Sequence, residues 1–166
     1  MRIFAVAMII ISNFLLQSTL FQHFRVFDVL PNTALIIVVL FALLWGSKRG
    51  ATIGFFTGLL QDIFFSKLIG INTLIYMIIG YQVGYFEKKI FKENYLTPVF
   101  FVGISTILYH LFHYVISYMY NTRVELFAVF KGIVITEVIY NALLSFYLYK
   151  KIYQFTNLPN IKIKTR

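Results

Sequence analysis

The sequence predicts an all-α integral membrane protein, folded as a compact bundle of six transmembrane helices with both termini in the cytoplasm. Of the 166 residues, 60% are hydrophobic and 13% are charged, and the mean hydropathy is +0.79. A soluble domain of this length cannot bury so much apolar material. Six apolar runs approach the ~20 residues that a helix needs to cross a bilayer. The basic residues form no stripe interleaved with polar residues, which argues against a nucleic-acid partner despite the net charge of +9.

The six runs are predicted to form one transmembrane domain over residues 1–149, followed by a basic cytoplasmic tail over 150–166. The predicted spans are 3–22, 29–46, 51–66, 68–86, 95–120 and 127–149. The first span follows Arg2 as the core of a signal peptide would, but no small-x-small cleavage site comes after it, so we predict an uncleaved span. The third span would be only ~24 Å long at 1.5 Å per residue, so a thin span and a partly re-entrant segment both stay open.

The distribution of basic residues predicts the orientation. With the N-terminus inside, eleven of the 15 lysines and arginines fall on cytoplasmic segments. The four outer ones are Arg25, Lys67, Arg123 and Lys131. Cytoplasmic loops carry an excess of Lys and Arg, so six spans fit this pattern, whereas five spans would place one end of it on the wrong side. We expect the tail to be flexible and attracted to anionic lipid; a specific partner site there is the less favoured alternative.

A row of glycines dominates the third predicted span. The glycines recur every four residues from Gly46 to Gly58, and Asp62 occupies the next position of the row. Small residues at this spacing lie on one helix face and let two helix backbones approach closely. The predicted helix-packing face comprises Gly46, Gly50, Gly54, Gly58, Gly80 and Gly84. The row lacks the preceding strand and the Lys-Ser/Thr ending of a phosphate-binding loop, so we exclude nucleotide binding.

Polar side chains inside the predicted spans concentrate in their outer halves. This pattern predicts an interior polar cluster, or a cavity, that is open toward the outer face. The candidate members are Gln17, Asn32, Asp62, Asn72, His110, His113, Glu137 and Asn141. Asn13 also lies toward the outer end of its span, whereas Gln82 is the exception in the inner halves. Acidic residues within transmembrane segments are costly and are therefore functional candidates.

Both acidic members of this cluster also have a purely structural interpretation. Asp62 lies near the predicted membrane edge, where its carboxylate would reach interfacial water or pair with Lys67. Glu137 lies deeper, where a charged side chain needs a partner or neutralisation. A hydrogen bond to Asn141, one helical turn away, or to a histidine would supply that partner. The structural and the functional interpretations both stay open.

The two histidines of the fifth span are a weak indication of metal binding. His110 and His113 are three residues apart, but two histidines without further assembled ligands do not make a metal site. Packing against Tyr109 and Tyr114 is the favoured role. The sequence contains no cysteine, which excludes disulfides, thiolate metal sites and a cysteine nucleophile. No serine has a base and an orienting carboxylate at a recognisable spacing. We therefore predict no catalytic residue, no cofactor and no metal.

Several segments, in their order and spacing, resemble the rod shape-determining protein MreD family. They are QSTLF over 17–21, Pro31 with Asn32, the glycine-rich segment through Phe65, LIGINTLIYMIIGY over 68–81, and the pair of Glu137 and Asn141. The resemblance covers nearly all of the predicted membrane portion. It implies a multi-pass protein of the bacterial cytoplasmic (inner) membrane. It also implies a fold similar to the substrate-binding subunits of energy-coupling vitamin transporters.

The resemblance further implies a function without catalysis. In the elongasome, members of the family work with the single-span protein MreC and through it with MreB, RodA and a penicillin-binding transpeptidase. Together these proteins guide lateral peptidoglycan synthesis and maintain rod shape. This chain would then be a scaffold that binds partner spans and membrane lipid. Two alternatives stay open. One is a small-molecule, vitamin-type binding subunit of a transporter, whose site Asp62, His110, His113 and Glu137 would line. The other is an enzyme that acts on lipid through the histidines.

Overall fold

The computed structural model describes residues 2–19, 29–66, 69–90, 92, 94–119 and 130–156. Within these residues the chain forms six helices, which we label in chain order. They are α1 (Arg2–Thr19), α2 (Thr33–Trp45), α3 (Ser47–Phe65), α4 (Ile71–Gly84), α5 (Leu96–Met119) and α6 (Ile135–Thr156), the last preceded by a π-helical turn at Phe130–Val134. The predicted all-α class with six helices is therefore confirmed.

The helices differ in length and apolar composition. The stretches Leu96–Ile116 and Gly132–Gln154, of 21 and 23 residues, are each long and apolar enough to cross a membrane. The shorter apolar helical stretches are Phe4–Thr19, Thr33–Trp45 and Ile71–Gly84. The described residues thus contain two clear membrane-spanning candidates, and the six-span arrangement stays a prediction.

Helix α2 is the centre of the fold. Its sequence is apolar on every side, which is typical of a helix that is enclosed by protein or by lipid. Every residue from Thr33 to Leu44 is buried, and the other five helices pack around them. Asn32 begins the helix, because its side-chain oxygen accepts a hydrogen bond from the backbone N–H of Leu35 at 3.0 Å, as an N-cap residue does.

Helices α3 and α4 form the most extensive helix pair of the bundle. Their backbones meet along the predicted glycine face, with Gly50 against Gly80, Gly54 against Tyr76, and Gly58 against Asn72 and Thr73. A Cβ atom on Gly58 would lie only 2.5 Å from the Cα of Thr73. The close approach that the glycine spacing predicts therefore takes place within the chain, because α4 covers this face of α3.

Gly46 differs from the prediction, because it does not lie on the helix that carries the other glycines of the row. It is the residue between α2 and α3, and its backbone φ is +85°. Only glycine adopts such angles without strain, so Gly46 makes the sharp connection between two helices. It still lies close to Gly84 at the C-terminal end of α4, because a Cβ on Gly84 would contact the backbone of Gly46 and Ser47.

Two helices extend several residues beyond their predicted runs, in both cases because charged residues interrupt an apolar pattern without ending a helix. Helix α3 begins at Ser47 instead of residue 51, so its 19 residues extend over about 28 Å. Helix α6 continues past residue 149 to Thr156, so the predicted flexible tail does not begin at residue 150. The face made by Tyr149, Ile152 and Thr156 is buried along this extension.

Lys92 connects the C-terminal end of α2, the end away from Asn32, to Glu87 and to α6. Its Nζ donates a hydrogen bond to the backbone carbonyl of Leu44 at 3.0 Å and pairs with Glu87. The hydroxyl of Tyr149 on α6 donates to the Lys92 carbonyl at 2.8 Å. A cation at the C-terminus of a helix is favoured by the helix dipole. The C-terminal end of α2 is therefore held by polar contacts from neighbouring elements.

Candidate functional site

Asp62 occupies the N-terminus of α4. Its carboxylate accepts hydrogen bonds from the backbone N–H groups of Gly70, Asn72 and Thr73, at 2.9, 3.0 and 2.9 Å. The Asn72 amide and the Thr73 hydroxyl donate two more, at 3.0 and 2.6 Å. The first N–H groups of a helix have no partner within the helix, and an anion is favoured there. Asp62 therefore caps α4 from the neighbouring helix.

This arrangement corrects one prediction for Asp62. The residue has no exposed surface, so its carboxylate does not reach interfacial water from the edge of the bundle. The alternative pairing with Lys67 lies outside the described residues, as does the predicted tail beyond Thr156. All five observed contacts of the carboxylate are with hydrogen-bond donors of the α3–α4 connection and α4, which fits a structural role.

Asn72 extends the network from α4 to α5. Its amide nitrogen donates to Asp62 and to the hydroxyl of Ser66, and its side-chain oxygen accepts from the Tyr109 hydroxyl at 2.9 Å. The same oxygen lies 3.1 Å from Nε2 of His113. The predicted packing of His113 on Tyr109 is present, with ring centroids 4.9 Å apart, whereas Tyr114 stacks on Tyr118 instead.

A second group of polar contacts lies around the start of α2. The Asn32 side-chain oxygen accepts a hydrogen bond from the Tyr76 hydroxyl at 2.9 Å, and the Asn32 backbone N–H donates to the Asn141 side chain at 2.9 Å. Asn141 has no exposed surface, and its amide nitrogen donates to the Thr106 hydroxyl at 3.0 Å. These contacts tie the start of α2 to α4, α5 and α6.

Glu137 and His110 form a buried pair between α5 and α6. Oε2 of Glu137 lies 2.8 Å from Nε2 of His110, and the two side chains are 8% and 14% exposed. Oε1 of Glu137 accepts a longer contact, 3.4 Å, from the Asn141 amide. Both structural partners that the sequence suggests for Glu137, an asparagine and a histidine, are therefore present at once.

Gln17 lies in a third, smaller group. Its side-chain oxygen accepts from the Gln61 amide at 2.9 Å and from the Thr33 hydroxyl at 3.3 Å. These contacts join α1 to α2 and α3. With this group, each of the eight predicted polar residues hydrogen-bonds another residue of the chain.

The sequence does not predict two members of the network, Tyr76 and Tyr109. The Tyr76 hydroxyl donates to Asn32 and the Tyr109 hydroxyl donates to Asn72. The two rings pack against each other with centroids 5.6 Å apart. Both residues look like ordinary core aromatics in the sequence. A usable signal is spacing, because Tyr76 lies one helical turn after Asn72 and Tyr109 lies one helical turn before His113. Among the residues that the structure describes, no three His, Cys, Asp or Glu side chains are grouped as metal ligands.

Comparison with known protein families gives one result. The model of the family described as rod shape-determining protein MreD matches residues 1–158. The chain belongs to the MreD family. Searches of curated proteins and of solved structures find no match to the chain, so the predicted similarity to vitamin-transporter subunits stays a prediction. MreD is a membrane protein family with a structural role in rod-shape determination.

In this MreD family member we expect Glu137 and His110 to contribute to the free energy of unfolding jointly, so that losing either side chain removes most of the contribution of both. Glu137→Ala leaves the buried His110 ring without its partner and removes one of the two contacts of the Asn141 amide, which keeps its hydrogen bond to Thr106, so the free energy of unfolding should fall by about 3 kcal/mol. His110→Ala should cost less, and the double variant should cost about as much as Glu137→Ala alone, because residues in one network are not additive. The measurement is unfolding by SDS in mixed micelles.

The control for these three variants is Leu143→Ala. Leu143 lies on the same helix as Glu137 and is 70% exposed, so its substitution should change the free energy of unfolding by less than about 0.5 kcal/mol. If the losses of unfolding free energy in Glu137→Ala and His110→Ala add up in the double variant, the two side chains act independently and their contact contributes no coupling to stability.

Proposed function

We propose that this MreD family member is a non-enzymatic scaffold of the elongasome in the bacterial cytoplasmic membrane. It binds MreC and, through MreC, acts with MreB, RodA and a penicillin-binding transpeptidase in lateral peptidoglycan synthesis. The observation that carries this proposal is the family match over residues 1–158, which spans all six helices.

The polar network supports a scaffold more than a ligand site. Each of its eight predicted members is already hydrogen-bonded within the chain, and Asp62 and Asn141 have no exposed surface. A buried polar group that gives up an internal partner for a ligand loses the bond it had, so binding would have to replace it. The network therefore favours a role in fixing the relative positions of α2, α4, α5 and α6. It does not favour the vitamin-binding alternative.

The experiment that tests the function is complementation with capture of partners. The chain, carrying an affinity tag, is co-expressed with the MreC protein of its own organism in a rod-shaped bacterium whose mreC and mreD genes are deleted. We expect rod shape to return and MreC to co-purify from gently solubilised membranes. Omitting MreC from the pair is the control and should leave the cells round. Round cells at full expression of both proteins, or recovery of ATPase subunits with a bound solute, would contradict the scaffold.

We also propose that all six helices cross the membrane, with both termini inside. Because the chain has no cysteine, single introduced cysteines report the topology directly. Ile69, 72% exposed between α3 and α4, would lie outside, and the exposed Lys88 after α4 would lie inside. In spheroplasts, Ile69→Cys should react with a membrane-impermeant maleimide, whereas Lys88→Cys should react only after permeabilisation. Labelling of both, or of Lys88→Cys alone, would rule out this orientation.

A further inference from the structure

Two buried carboxylates lie inside the described part of the bundle, and they have unequal sets of partners. Asp62 accepts five hydrogen bonds, three of them from backbone N–H groups around the start of α4. Glu137 has one contact of ordinary length, 2.8 Å to Nε2 of His110. Its contact with the Asn141 amide is 3.4 Å, longer than the ~3.2 Å limit of a usual N–H···O hydrogen bond. Glu137 therefore lacks the donors that would stabilise a buried negative charge.

His110 is the only basic side chain of the described residues within ion-pair distance of Glu137. The other described ion pair, Lys92 with Glu87, lies at the C-terminal end of α2, away from this site. If the imidazole is neutral, a carboxylate at Glu137 leaves the buried pair with one uncompensated negative charge. Such a charge is costly inside a protein, and a group in this situation takes up a proton instead. One added proton makes the pair neutral, whether it is bound to Nε2 or to Oε2.

The titratable side chains that surround this pair lie on four helices. They are Asp62 on α3, Tyr76 on α4, Tyr109 and His113 on α5, and Tyr140 on α6. The tyrosines keep their protons near neutral pH, and the charge of Asp62 is already stabilised by its five donors. His113 is the one group of this set whose charge could also change near neutral pH, since a free imidazole loses its proton at about pH 6.5. Its Nε2 contacts the Asn72 side chain at 3.1 Å, which makes His113→Gln the natural control.

We propose that Glu137 and His110 form a proton-binding site that holds α5 against α6. With its proton bound, the pair is neutral and joins the two helices through the 2.8 Å contact. Loss of the proton leaves one negative charge in the bundle interior, which weakens the packing of α5 on α6. Under the proposed topology the site lies in the outer half of the membrane, so its protons come from the outer side. The proposal is independent of the cell-shape role, because it rests on the contacts of Glu137 alone.

The pH dependence of unfolding tests the site, because the folded pair retains a proton that the unfolded chain releases. An imidazole in water loses its proton at about pH 6.5, so above this pH the unfolded state binds one proton fewer than the folded state. Stability therefore falls as the pH rises. In wild type the ratio of folded to unfolded protein should fall by up to about tenfold per pH unit between about pH 7 and about pH 8.5. The measurement is unfolding of the full-length protein by SDS in mixed micelles.

Glu137→Gln removes the negative charge but retains a side-chain oxygen beside His110. The buried imidazole then has no carboxylate to favour an extra proton, so the folded and unfolded states bind equal numbers of protons above about pH 7, and the fall disappears. His113→Gln leaves the pair intact and should keep the wild-type fall. An equal fall in wild type and Glu137→Gln would overturn the proposal, as would a fall that disappears only in His113→Gln.

Proton release gives a second readout on the wild-type protein alone. Wild-type protein unfolded at about pH 7.5 in weakly buffered micelles should acidify the solution by roughly one proton per chain, because the imidazole of the unfolded chain gives its proton to water. Unfolding of the wild-type protein without proton release, or with proton uptake, would contradict a proton held between Glu137 and His110.

Discussion

Asp62→Ala should be among the most destabilising single substitutions in this chain, with a loss of about 3–5 kcal/mol of unfolding free energy. The carboxylate accepts five hydrogen bonds, three of them from the backbone at the start of α4. Its removal leaves the backbone N–H groups of Asn72 and Thr73 and the Thr73 hydroxyl buried without this acceptor, and it releases α4 from α3. The measurement is the SDS unfolding midpoint of the purified protein in mixed micelles.

Two variants make this prediction specific. Asp62→Asn keeps one acceptor oxygen but turns an amide group toward the remaining donors, so its loss should be roughly half that of Asp62→Ala. Gln61→Ala removes the adjacent side chain, which makes one contact to Gln17, and should cost about 1 kcal/mol. An Asp62→Ala variant that unfolds at the wild-type midpoint would show that other contacts hold the start of α4.

Gly54→Ala should be the second large effect, with a loss of about 2–3 kcal/mol from overpacking. A Cβ at this position would lie 2.6 Å from the Tyr76 carbonyl carbon, and the atoms it meets are backbone atoms of α4. A rigid backbone cannot move aside as a flexible side chain does, so the two helices must separate. The readout is again the unfolding midpoint, supported by loss of monomeric protein in detergent.

Gly103→Ala is the matched control for the glycine face. It lies in the interior of α5, where an added Cβ would meet, among the described residues, only Val138 at the ordinary distance of 3.8 Å. Because alanine favours a helix over glycine by up to about 1 kcal/mol, this variant should be neutral or slightly stabilised. Equal loss in Gly54→Ala and Gly103→Ala would mean that the cost comes from the glycine-to-alanine change itself and not from the α3–α4 contact.

The glycine face illustrates what the sequence predicts and what it leaves open. Spacing alone indicates a close backbone approach, because every fourth residue returns to one helix face. It does not name the helix that approaches, and a partner protein is as consistent with it as α4. Nor does the spacing show that a helix ends at Gly46. The glycines continue at every fourth position of the sequence even though the φ angle of Gly46 is positive and separates α2 from α3.

The polar cluster was predictable as a set but not as a network. Depth along each span selected its members, since polar groups are rare in apolar helices. Their partners depend on which helices are adjacent, and Asp62 meets α4 because the start of that helix lies beside the end of α3. The helical continuation of α6 to Thr156 was not predicted for a simpler reason. Lys150 and Lys151 are exposed and interrupt the apolar pattern, although Tyr149 and Ile152 on the other side of the helix are buried.

The unequal helix lengths have a consequence for the surrounding bilayer, under the proposed topology. Helix α2 is only about 20 Å long, but its own chain covers it, so its shortness produces no hydrophobic mismatch with lipid. Helix α4 is about 21 Å long and faces outward at Leu74 and Tyr81, whereas α5 extends over about 36 Å. Lipid adapts to a short hydrophobic surface by local thinning and to a long one by thickening or helix tilt. The protein therefore imposes a gradient of bilayer thickness around its perimeter, with the thinnest lipid beside α4.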